Sequence, residues 1–331
     1  MTYYRPLVQH GETRPEGALA LAGGSLWFTQ VEVLSRDAPP RRQPAGLLPE
    51  LERRRLSARR ATIAGLDMTQ PQVMGILNVT PDSFSDGGRH AGVEAARDAA
   101  LRMAAEGASI IDVGGESTRP GALEVDEAEE IARTAPVIAA IRAASSVPVS
   151  IDTRKATVGL EALEAGADLL NDVSGFTFDA ALAPLAAQAS VPVCVMHAQG
   201  DPATMQDNPQ YGNVLLDVYD YLSDQVDRLE ATGVVREQIV IDPGIGFGKT
   251  LEHNLTLLRN ISLFHALGCP VLLGVSRKGF IGTLGNAPKA EDRTPGSIAV
   301  GLAAVSQGVQ FLRVHDVAET VQALRLWQAV R

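Results

Sequence analysis

Eight short apolar runs rich in β-branched residues recur between residues 73 and 315, and each is followed by polar residues that can do chemistry. Runs of this length that alternate with helix-like stretches are typical of parallel strands buried on both faces. Polar residues at the carboxyl ends of such strands lie on one rim of one sheet. Eight strand–helix units therefore predict an α/β fold, a (β/α)8 TIM barrel, with its active site at that rim.

The polar residues differ from run to run. They are Asn78 after VMGIL, residues 116–119 (ESTR) after SIIDV, Asp152 after VPVSI, Asn171 and Asp172 after ADLL, His197 after VPVCVM, Asp242 after IVI, Ser276 to Lys278 after PVLLGV, and Arg313 and His315 after QFL. A helix-like pattern follows each run, and a glycine just past the end of several suits a helix C-terminus. The predicted helices span residues 93–105, 125–144, 155–165, 180–189, 214–232, 251–266, 295–307 and 317–330.

Residues 1–62 differ in texture from the predicted barrel, residues 63–331. They include an alternating stretch, SLWFTQVEVLSR, that predicts a strand or hairpin, and an arginine run from Arg53 to Arg60. They carry ten arginines against six acidic residues, whereas the remainder carries 19 basic residues against 33 acidic ones. We interpret them as an N-terminal extension or small subdomain that packs on the barrel. The acidic body favours a solvated or docked arginine run over a nucleic-acid patch.

The bulk composition indicates a cytoplasmic enzyme that acts on small molecules, with neither nucleic acid nor membrane as a partner. The 331 residues are 45% hydrophobic, enough for a large core, and the mean hydropathy is +0.04. The sequence has no apolar stretch of membrane-spanning length and no signal-peptide core near its start. Cys194 and Cys269 stand alone in strand-like runs, which is typical of reduced core cysteines.

Two carboxylates, an amide and an ammonium are expected to converge on one pocket. Asp152 and Asp242 end the third and sixth strands, Asn171 lies between them, and Lys278 follows the seventh. Such a set would recognise a flat heterocycle with several N–H donors and a carbonyl, because a carboxylate accepts two parallel N–H bonds. Two structural alternatives stay open. Asp152 could cap the helix that starts near Lys155, and Asp242 could belong to an Asp-Pro-Gly turn.

A second group of residues predicts an anion pocket. Arg119, Arg313 and His315 come from the second and eighth strands, which are neighbours in a closed barrel, and would hold phosphate or pyrophosphate. Asn78 lies on the strand between them and offers a hard oxygen ligand for Mg²⁺ shared with phosphate. Spacing of the zinc-site kind between Cys and His is absent from the sequence.

Three Gly-rich or polar loops complete the predicted rim. Residues 80–88 and 114–121 are long for simple connectors, so we expect active-site loops, although Asp82, Ser83 or Thr118 could instead cap a helix. Residues 244–249 lack P-loop spacing, and we expect them to bring backbone close to a ligand, with Phe247 as an aromatic face. His197 is as consistent with a structural strand-end histidine as with a ligand contact.

Eight strings, in order, resemble dihydropteroate synthases between about residue 66 and residue 330. They are MGILNVTPDSFSDGG (74–88), IIDVGGESTRPGA (110–122), SIDTRK (150–155), NDVSG (171–175), VMHAQGDPATMQ (195–206), IDPGIGFGK (241–249), GVSRKGFIG (274–282) and RVHDV (313–317). The resemblance implies transfer of 6-hydroxymethyl-7,8-dihydropterin from its pyrophosphate to 4-aminobenzoate. It also implies sulfonamide sensitivity and Mg²⁺ as the cofactor, and we expect a homodimer through the last helices.

The resemblance also implies a role for each matching position. Pterin would be bound by Asp152, Asn171, Asp242 and Lys278; pyrophosphate by Asn78 (with Mg²⁺), Arg119, Arg313 and His315; and aminobenzoate by Thr118, Pro120, Phe84, Phe247 and Ser276, beside Lys278. The catalytic set would be Asp152, Lys278, Asn78 and Asp82.

Two rival functions fit the same fold. A pterin-binding, corrinoid-dependent methyltransferase domain would share the barrel and the pterin carboxylates. It would not need the loop 80–88, the triplet 276–278 or the pair Arg313 and His315, all of which are present. A silent pterin-binding homologue would lack a catalytic position, and the sequence has all of those that the resemblance implies. Fold alone does not separate these functions.

Overall fold

The structure is a computed structural model that describes residues 1–11, 13–79, 88–117, 124–200, 205 and 207–330, with the side chains of 88–91 left aside. The described part of the first 60 residues contains five short strands, a 3-10 turn (Ala45–Leu47) and one α-helix. These are β1 (Tyr3–Pro6), β2 (Leu19–Ala20), β3 (Trp27–Phe28), β4 (Gln30–Leu34), β5 (Arg41–Pro44) and α1 (Glu50–Ser57).

The rest of the chain alternates strands and helices. The strands are β6 (Gln72–Asn78), β7 (Ile110–Gly114), β8 (Val149–Asp152), β9 (Leu169–Asp172), β10 (Val193–Met196), β11 (Ile239–Asp242), β12 (Leu272–Leu273) and β13 (Phe311–Val314). The helices are α2 (Gly88–Glu106), α3 (Glu127–Ala144), α4 (Ala156–Glu164), α5 (Leu182–Ala189), α6 (Val214–Ala231), α7 (Leu251–Arg259), α8 (Gly279–Leu284), α9 (Thr294–Val305) and α10 (Val317–Val330).

The eight strands form one parallel sheet in the order β11-β10-β9-β8-β7-β6-β13-β12. A parallel bridge between Ile241 and Val271 joins the two ends of that order, and the Ile241 amide donates to the Pro270 carbonyl at 3.0 Å. The sheet therefore closes into the predicted (β/α)8 barrel, and each of the eight apolar runs contributes one of its strands.

The amino end of the barrel is closed by an apolar layer. Seven strands each direct one buried side chain into it, namely Met74, Ile110, Leu169, Cys194, Val240, Leu272 and Phe311. Ile63 and Met68, from a bridged turn just before β6, pack into the same layer. Since side chains on a strand alternate between its two faces, the residues two positions further along β7, β9, β11 and β13 also face inward. Those residues are Asp112, Asn171, Asp242 and Arg313, so a polar layer lies directly above the apolar one.

The N-terminal extension lies against the outside of the barrel. Strand β4 pairs with β1 on one side and β5 on the other. The Tyr3 hydroxyl donates to Asp220 on α6 at 2.9 Å, and Arg36 forms ion pairs with Asp217 and Asp220. The arginine run forms α1 and its C-terminal flank, and buried Arg60 donates to the His265 carbonyl at 3.1 Å. This end of the run is thus docked on the barrel.

The helix predicted over 251–266 is interrupted. Helix α7 ends at Arg259, and residues Ile261–Leu267 form a 3-10 segment. At the junction Asn260 leaves helical geometry and its side-chain amide donates to the Thr256 carbonyl at 2.8 Å. All seven residues of the 3-10 segment are buried, beneath β1 and α1. The N-terminal extension buries this segment, and this burial accounts for the difference from the predicted helix. The local pattern of apolar residues carries no information about a contact with a distant part of the chain. Helix α8 was not predicted, because six residues are too few to show a period.

Two expectations about composition can be compared with the described chain. Cys194 and Cys269 are both unpaired and buried, as expected of core cysteines. Among the helices described, none combines the length and the apolar character needed to cross a membrane.

Candidate active site

The centre of the polar layer is an arginine held between two carboxylates. Arg313 donates through Nε to Asp112 Oδ2 and through Nη2 to Asp152 Oδ2, both at 2.6 Å. Asp112 is fully buried and Asp152 is 7% exposed. The Asn171 side-chain amide also donates to Asp112 Oδ2, at 3.2 Å. Strands β7, β8, β9 and β13 each contribute one member, and the pairing of β13 with β6 brings Arg313 to the others.

Burial and charge set the protonation of this group. Burial raises the pKa of Asp152 to about 7; Arg313 opposes the rise, and Asp112, Asp172 and Glu130 add to it. Burial alone would lower the pKa of Arg313, but the two carboxylates hold it above its ordinary value. A single cation thus serves two buried carboxylates, and burial holds the pKa of Asp152 above its ordinary value.

The capping alternative for Asp152 is wrong. Helix α4 begins after Lys155, which makes no side-chain cap, and the first helical amide, Ala156 N, donates to Asp179 at 2.7 Å. The Asp152 carboxylate instead faces Arg313. A neighbouring aspartate supplies the helix cap, which the sequence pattern did not indicate.

The turn alternative for Asp242 is right, and it does not remove the residue from the site. Asp242 Oδ1 accepts from the Gly244 amide at 2.7 Å, as an Asp-Pro-Gly turn requires. Oδ2 lies 3.9 Å from the position that a Cβ would take at Gly274, so the carboxylate borders open space inside the barrel. Burial raises the pKa of Asp242, whereas the Gly244 amide, Lys278 and Lys249 oppose the rise.

A glycine keeps space open beside Asn78. In the sheet Asn78 is paired with Gly114, and Gly114 with Asp152. A Cβ added at Gly114 would lie 3.9 Å from Asn78 Oδ1 and 3.8 Å from Asp152 Oδ2. The missing side chain therefore leaves a small gap between an amide oxygen and a carboxylate oxygen.

Lys278 joins the rim to the loop after β11. Its Nζ donates to the Ile245 carbonyl at 2.7 Å and lies 4.1 Å from the centre of the Phe247 ring. Burial lowers the pKa of Lys278 to about 8; Asp242 opposes this effect and Arg313 adds to it. The predicted pterin residue Lys278 and the predicted aminobenzoate residue Phe247 are therefore in direct contact.

Ser276 and His315 link the ends of β12 and β13. Ser276 Oγ accepts from the His315 backbone amide at 3.1 Å and lies 3.0 Å from His315 Nδ1. The intervening Arg277 has a left-handed backbone, with φ of 59°, and pairs with Asp316. This turn sends residues 276 and 278 to the site and residue 277 away from it.

His197 lies beneath the loop 243–249 and faces buried Lys249. The Lys249 Nζ is 2.8 Å from His197 Nδ1 and donates to the carbonyls of Gly244 and Phe247 at 2.9 and 3.0 Å. Burial lowers the pKa of His197 to about 2, and Lys249 adds to that effect. Its described contacts are with protein groups, which favours the interpretation of His197 as a structural strand-end histidine over a ligand contact.

Comparison with known proteins places the chain in a family. The family model described as "Pterin binding enzyme" matches residues 74–315. The dihydropteroate synthase of Escherichia coli (strain K12) is 48% identical over 265 residues, which is 80% of this chain and 93% of that protein. The chain belongs to the dihydropteroate synthases. The resemblance to dihydropteroate synthases is thus confirmed. The match to the family model begins at residue 74, so the N-terminal extension lies outside it.

Solved structures of dihydropteroate synthases share the fold. The Yersinia pestis enzyme in complex with a sulfonamide drug is 45% identical with a TM-score of 0.77, covering 82% of this chain and 99% of that one. The Xanthomonas albilineans enzyme with 4-aminobenzoic acid is also 45% identical with a TM-score of 0.77, covering 82% of this chain and 97% of that one.

Five of the predicted site residues lie outside the described part of the chain: Asp82, Phe84, Thr118, Arg119 and Pro120. The others, from Asn78 to His315, lie at the carboxyl end of the barrel. One residue of the central group, Asp112, was missed by sequence reasoning. The available signal was an aspartate within an otherwise apolar run, two positions after the inward-facing Ile110.

Proposed function

We propose that this chain condenses 6-hydroxymethyl-7,8-dihydropterin pyrophosphate with 4-aminobenzoate to give 7,8-dihydropteroate and pyrophosphate. The observation that carries the proposal is the arrangement of Asp152, Asn171, Asp242 and Lys278 around one barrel mouth in a chain of this family. Two carboxylates, an amide and an ammonium match the donors and acceptors of a reduced pterin.

Pterin recognition would rest on the ionised forms of the two aspartates. Each carboxylate would accept N–H bonds from the ring, and Asn171 would fix the ring's orientation through its amide oxygen, since its nitrogen donates to Asp112. Lys278 would donate to a ring acceptor. Because these groups are buried, an unsatisfied member costs free energy, and a ring of the wrong pattern would be rejected.

Pyrophosphate would bind on the side of the barrel formed by β13, β6 and β7. Arg313 gives Nε and Nη2 to its two aspartates, which leaves Nη1 for a phosphate oxygen among the contacts of the described residues. His315, two residues after Arg313 and just past the end of β13, would contact the pyrophosphate from the same side. The prediction for Arg119 is kept, and it would bring the second guanidinium of the pocket.

The residues around Asn78 fit a magnesium ion. Asn78 offers a hard amide oxygen, and the gap at Gly114 leaves room beside it. Within the described residues no three His, Cys, Asp or Glu side chains are grouped to hold a metal. Mg²⁺ would therefore take most of its ligands from pyrophosphate and water, which is its usual habit. Bound in this way it would supply positive charge to the leaving group.

The chemistry needs no protein nucleophile. The bond between the exocyclic carbon and the pyrophosphate oxygen breaks, and its electron pair leaves with pyrophosphate. The aminobenzoate nitrogen forms a new bond to that carbon and loses a proton to water or to the released pyrophosphate. Positive charge develops next to the pterin ring as the first bond breaks, and the Asp152 carboxylate would stabilise it.

The aminobenzoate would lie between the loop 243–249 and the end of β12. Phe247 would offer a ring face, and Ser276 and Lys278 polar contacts to the carboxylate of the substrate. Thr118, Pro120 and Phe84 stay predicted members of the same subsite. Sulfonamide binding at this subsite is the corresponding expectation for inhibitors.

The decisive experiment is pyrophosphate release from dihydropterin pyrophosphate, with and without 4-aminobenzoate and Mg²⁺. We expect release that depends on aminobenzoate and forms dihydropteroate in equal amount. Asp152→Asn should lower kcat by roughly 10²-fold or more, the scale of a lost electrostatic group in a buried site. Asp227→Asn, a surface carboxylate on α6, is the matched control. Absence of an aminobenzoate-dependent product would refute the function, and an undiminished kcat in Asp152→Asn would refute the role of that residue.

A homodimer and a cytoplasmic location stay predictions. Helix α10 leaves Leu326 63% exposed and Val330 82% exposed, which suits a covered face. Light scattering on the purified chain tests the dimer, with a monomer at micromolar concentration as the opposing result.

A further inference from the structure

The loop that follows β11 lies between two lysines, buried Lys249 and half-buried Lys278. From beneath, the Lys249 Nζ donates to the Gly244 and Phe247 carbonyls at 2.9 and 3.0 Å. From the barrel mouth, the Lys278 Nζ donates to the Ile245 carbonyl at 2.7 Å and faces the Phe247 ring at 4.1 Å. The backbone of residues 243–249 is therefore held on one side by Lys249, which is not among the predicted site residues. On the other side it contacts Lys278, which is one of them.

The loop can lie so close to its support only because of its glycines. Gly244 and Gly248 both have positive φ, at 67° and 62°. A Cβ at Gly244 would lie 1.9 Å from the His197 carbonyl oxygen, and one at Gly248 would lie 2.3 Å from the Gln199 carbonyl oxygen. Side chains at these positions would push the loop away from residues 197–199, so the glycines serve the contact with the segment after β10.

Lys249, the last residue of the loop, also contacts His197, which follows β10. Its Nζ lies 2.8 Å from His197 Nδ1 and 3.3 Å from the His197 carbonyl. Burial lowers the pKa of Lys249 well below its ordinary value, and its four closest described partners are three carbonyl oxygens and an imidazole. Whichever of Lys249 and His197 holds the shared proton, Nζ keeps two further N–H groups for Gly244 and Phe247.

Two tyrosines contact this group: one packs against His197 and the other hydrogen-bonds to the loop. The Tyr221 ring packs edge-on against His197 at 4.8 Å between centroids. The Tyr211 hydroxyl donates to the Gly248 carbonyl at 2.8 Å. The imidazole, the ammonium and both tyrosines form one packed support under the loop, and we call residues 197, 211, 221 and 249 the loop support.

We propose that His197 and Lys249 are positioning residues for the aminobenzoate subsite. They act through the loop: by fixing the Phe247 backbone they place the ring that would face the aminobenzoate. The proposal rests on the proposed function, because it assigns the subsite of the acceptor substrate. A purely structural role predicts lost stability alone, whereas a positioning role also predicts a selective change in acceptor binding.

The test compares variants by their KM values for the two substrates. His197→Leu and Lys249→Met should raise the KM for 4-aminobenzoate by about tenfold or more, because displacements of the order of 1 Å in a binding group have effects of that size or larger. The KM for dihydropterin pyrophosphate should change by a clearly smaller factor. His197→Asn keeps an acceptor near the position of Nδ1 and should restore most of the aminobenzoate affinity.

A second buried histidine supplies the control. His265 is fully buried beneath the N-terminal extension, and its Nε2 lies 3.1 Å from the Gln307 carbonyl. His265→Leu should lower the melting temperature without a selective change in the KM for aminobenzoate. If His265→Leu gives the same selective change as His197→Leu, the effect reports stability and the proposal is wrong.

The remaining outcomes each decide a point. Equal changes in both KM values, or none, in a folded His197→Leu protein would refute the positioning role. If that variant and Lys249→Met fail to fold, Tyr211→Phe, which removes only the hydroxyl bond to Gly248, should still raise the KM for aminobenzoate, and an unchanged value would refute the proposal. If the wild-type protein makes no dihydropteroate, the proposed function fails. In that case, calorimetric titration of 4-aminobenzoate into the wild-type and His197→Leu proteins, with pterin pyrophosphate present, tests the positioning role by itself. Weaker binding to His197→Leu supports the role, and equal binding refutes it.

Discussion

Replacing Asp112 by asparagine should move the acid limb of the pH–rate profile to lower pH. In the wild-type protein the raised pKa of Asp152, about 7, owes part of its rise to the charge of Asp112, and the two carboxylates share Arg313. Asparagine keeps the shape of the side chain and removes its charge. Arg313 then serves Asp152 alone, so the ionised form of Asp152 becomes easier to reach.

The size of the shift follows from the shared guanidinium. Both carboxylates contact Arg313 at 2.6 Å. If their charges are about 5 Å apart, Coulomb's law at an effective dielectric constant of about 20 gives a repulsion of roughly 3 kcal/mol, or roughly two pKa units. Water and small rearrangements reduce this, so we expect a fall of about one to two units. The free energy of unfolding should change by less than the roughly 3–5 kcal/mol of a fully broken buried pair, because Arg313 keeps Asp152.

The assay is kcat/KM for dihydropterin pyrophosphate between pH 4.5 and 9, since this ratio reports the ionisations of the free enzyme and free substrate. Titration of the substrate is common to both proteins and cancels in the comparison. Asp227→Asn removes one negative charge at the surface, with its side chain 66% exposed, and controls for net charge. An acid limb that stays in place or moves to higher pH in a folded Asp112→Asn protein would refute the coupling of Asp112 to Asp152.

Three further predictions concern the base limb, the metal and the closed end of the barrel. Because burial lowers the pKa of Lys278 to about 8, kcat/KM should fall as pH rises through about 8, and Lys278→Met should abolish that limb together with most of the activity. Asn78→Ala should weaken pyrophosphate binding measured by calorimetry with Mg²⁺ and change it little without Mg²⁺. Ile63→Ala, at the apolar end of the barrel, should lower the free energy of unfolding by roughly 2–4 kcal/mol in urea titrations and leave both KM values unchanged.

The barrel could be predicted from the sequence because each of its strands and helices has a pattern that a short stretch of sequence shows. Each strand is a short run of apolar residues, and each is separated from the next by a helix with its own period. The 3-10 segment Ile261–Leu267 could not be predicted in this way. Its seven buried residues continue an apolar helical pattern, and the contact that buries them comes from β1, more than 250 residues earlier in the chain.

The members of the site were predictable for a similar reason, and their partners were not. Asp152 and Asp242 each end a strand and Asn171 lies one residue before the end of β9, which a single stretch of sequence reveals. The contact of Arg313 with Asp112 depends on the pairing and register of β6 with both β7 and β13. Residues 201 positions apart meet there, and such a pairing leaves no local pattern.

The charge of the central group restricts how pyrophosphate can be held. Arg313 is shared by two carboxylates, so with both ionised the three residues carry a net charge of −1 before substrate arrives. A pyrophosphate beside them meets a local excess of negative charge, and in a buried site that repulsion is little screened. Its binding must therefore depend on positive charge from outside the group. The proposed sources are Arg119 and the magnesium ion at Asn78, whereas Arg313 would orient Asp152 for the pterin ring and donate only its remaining nitrogen to the phosphate.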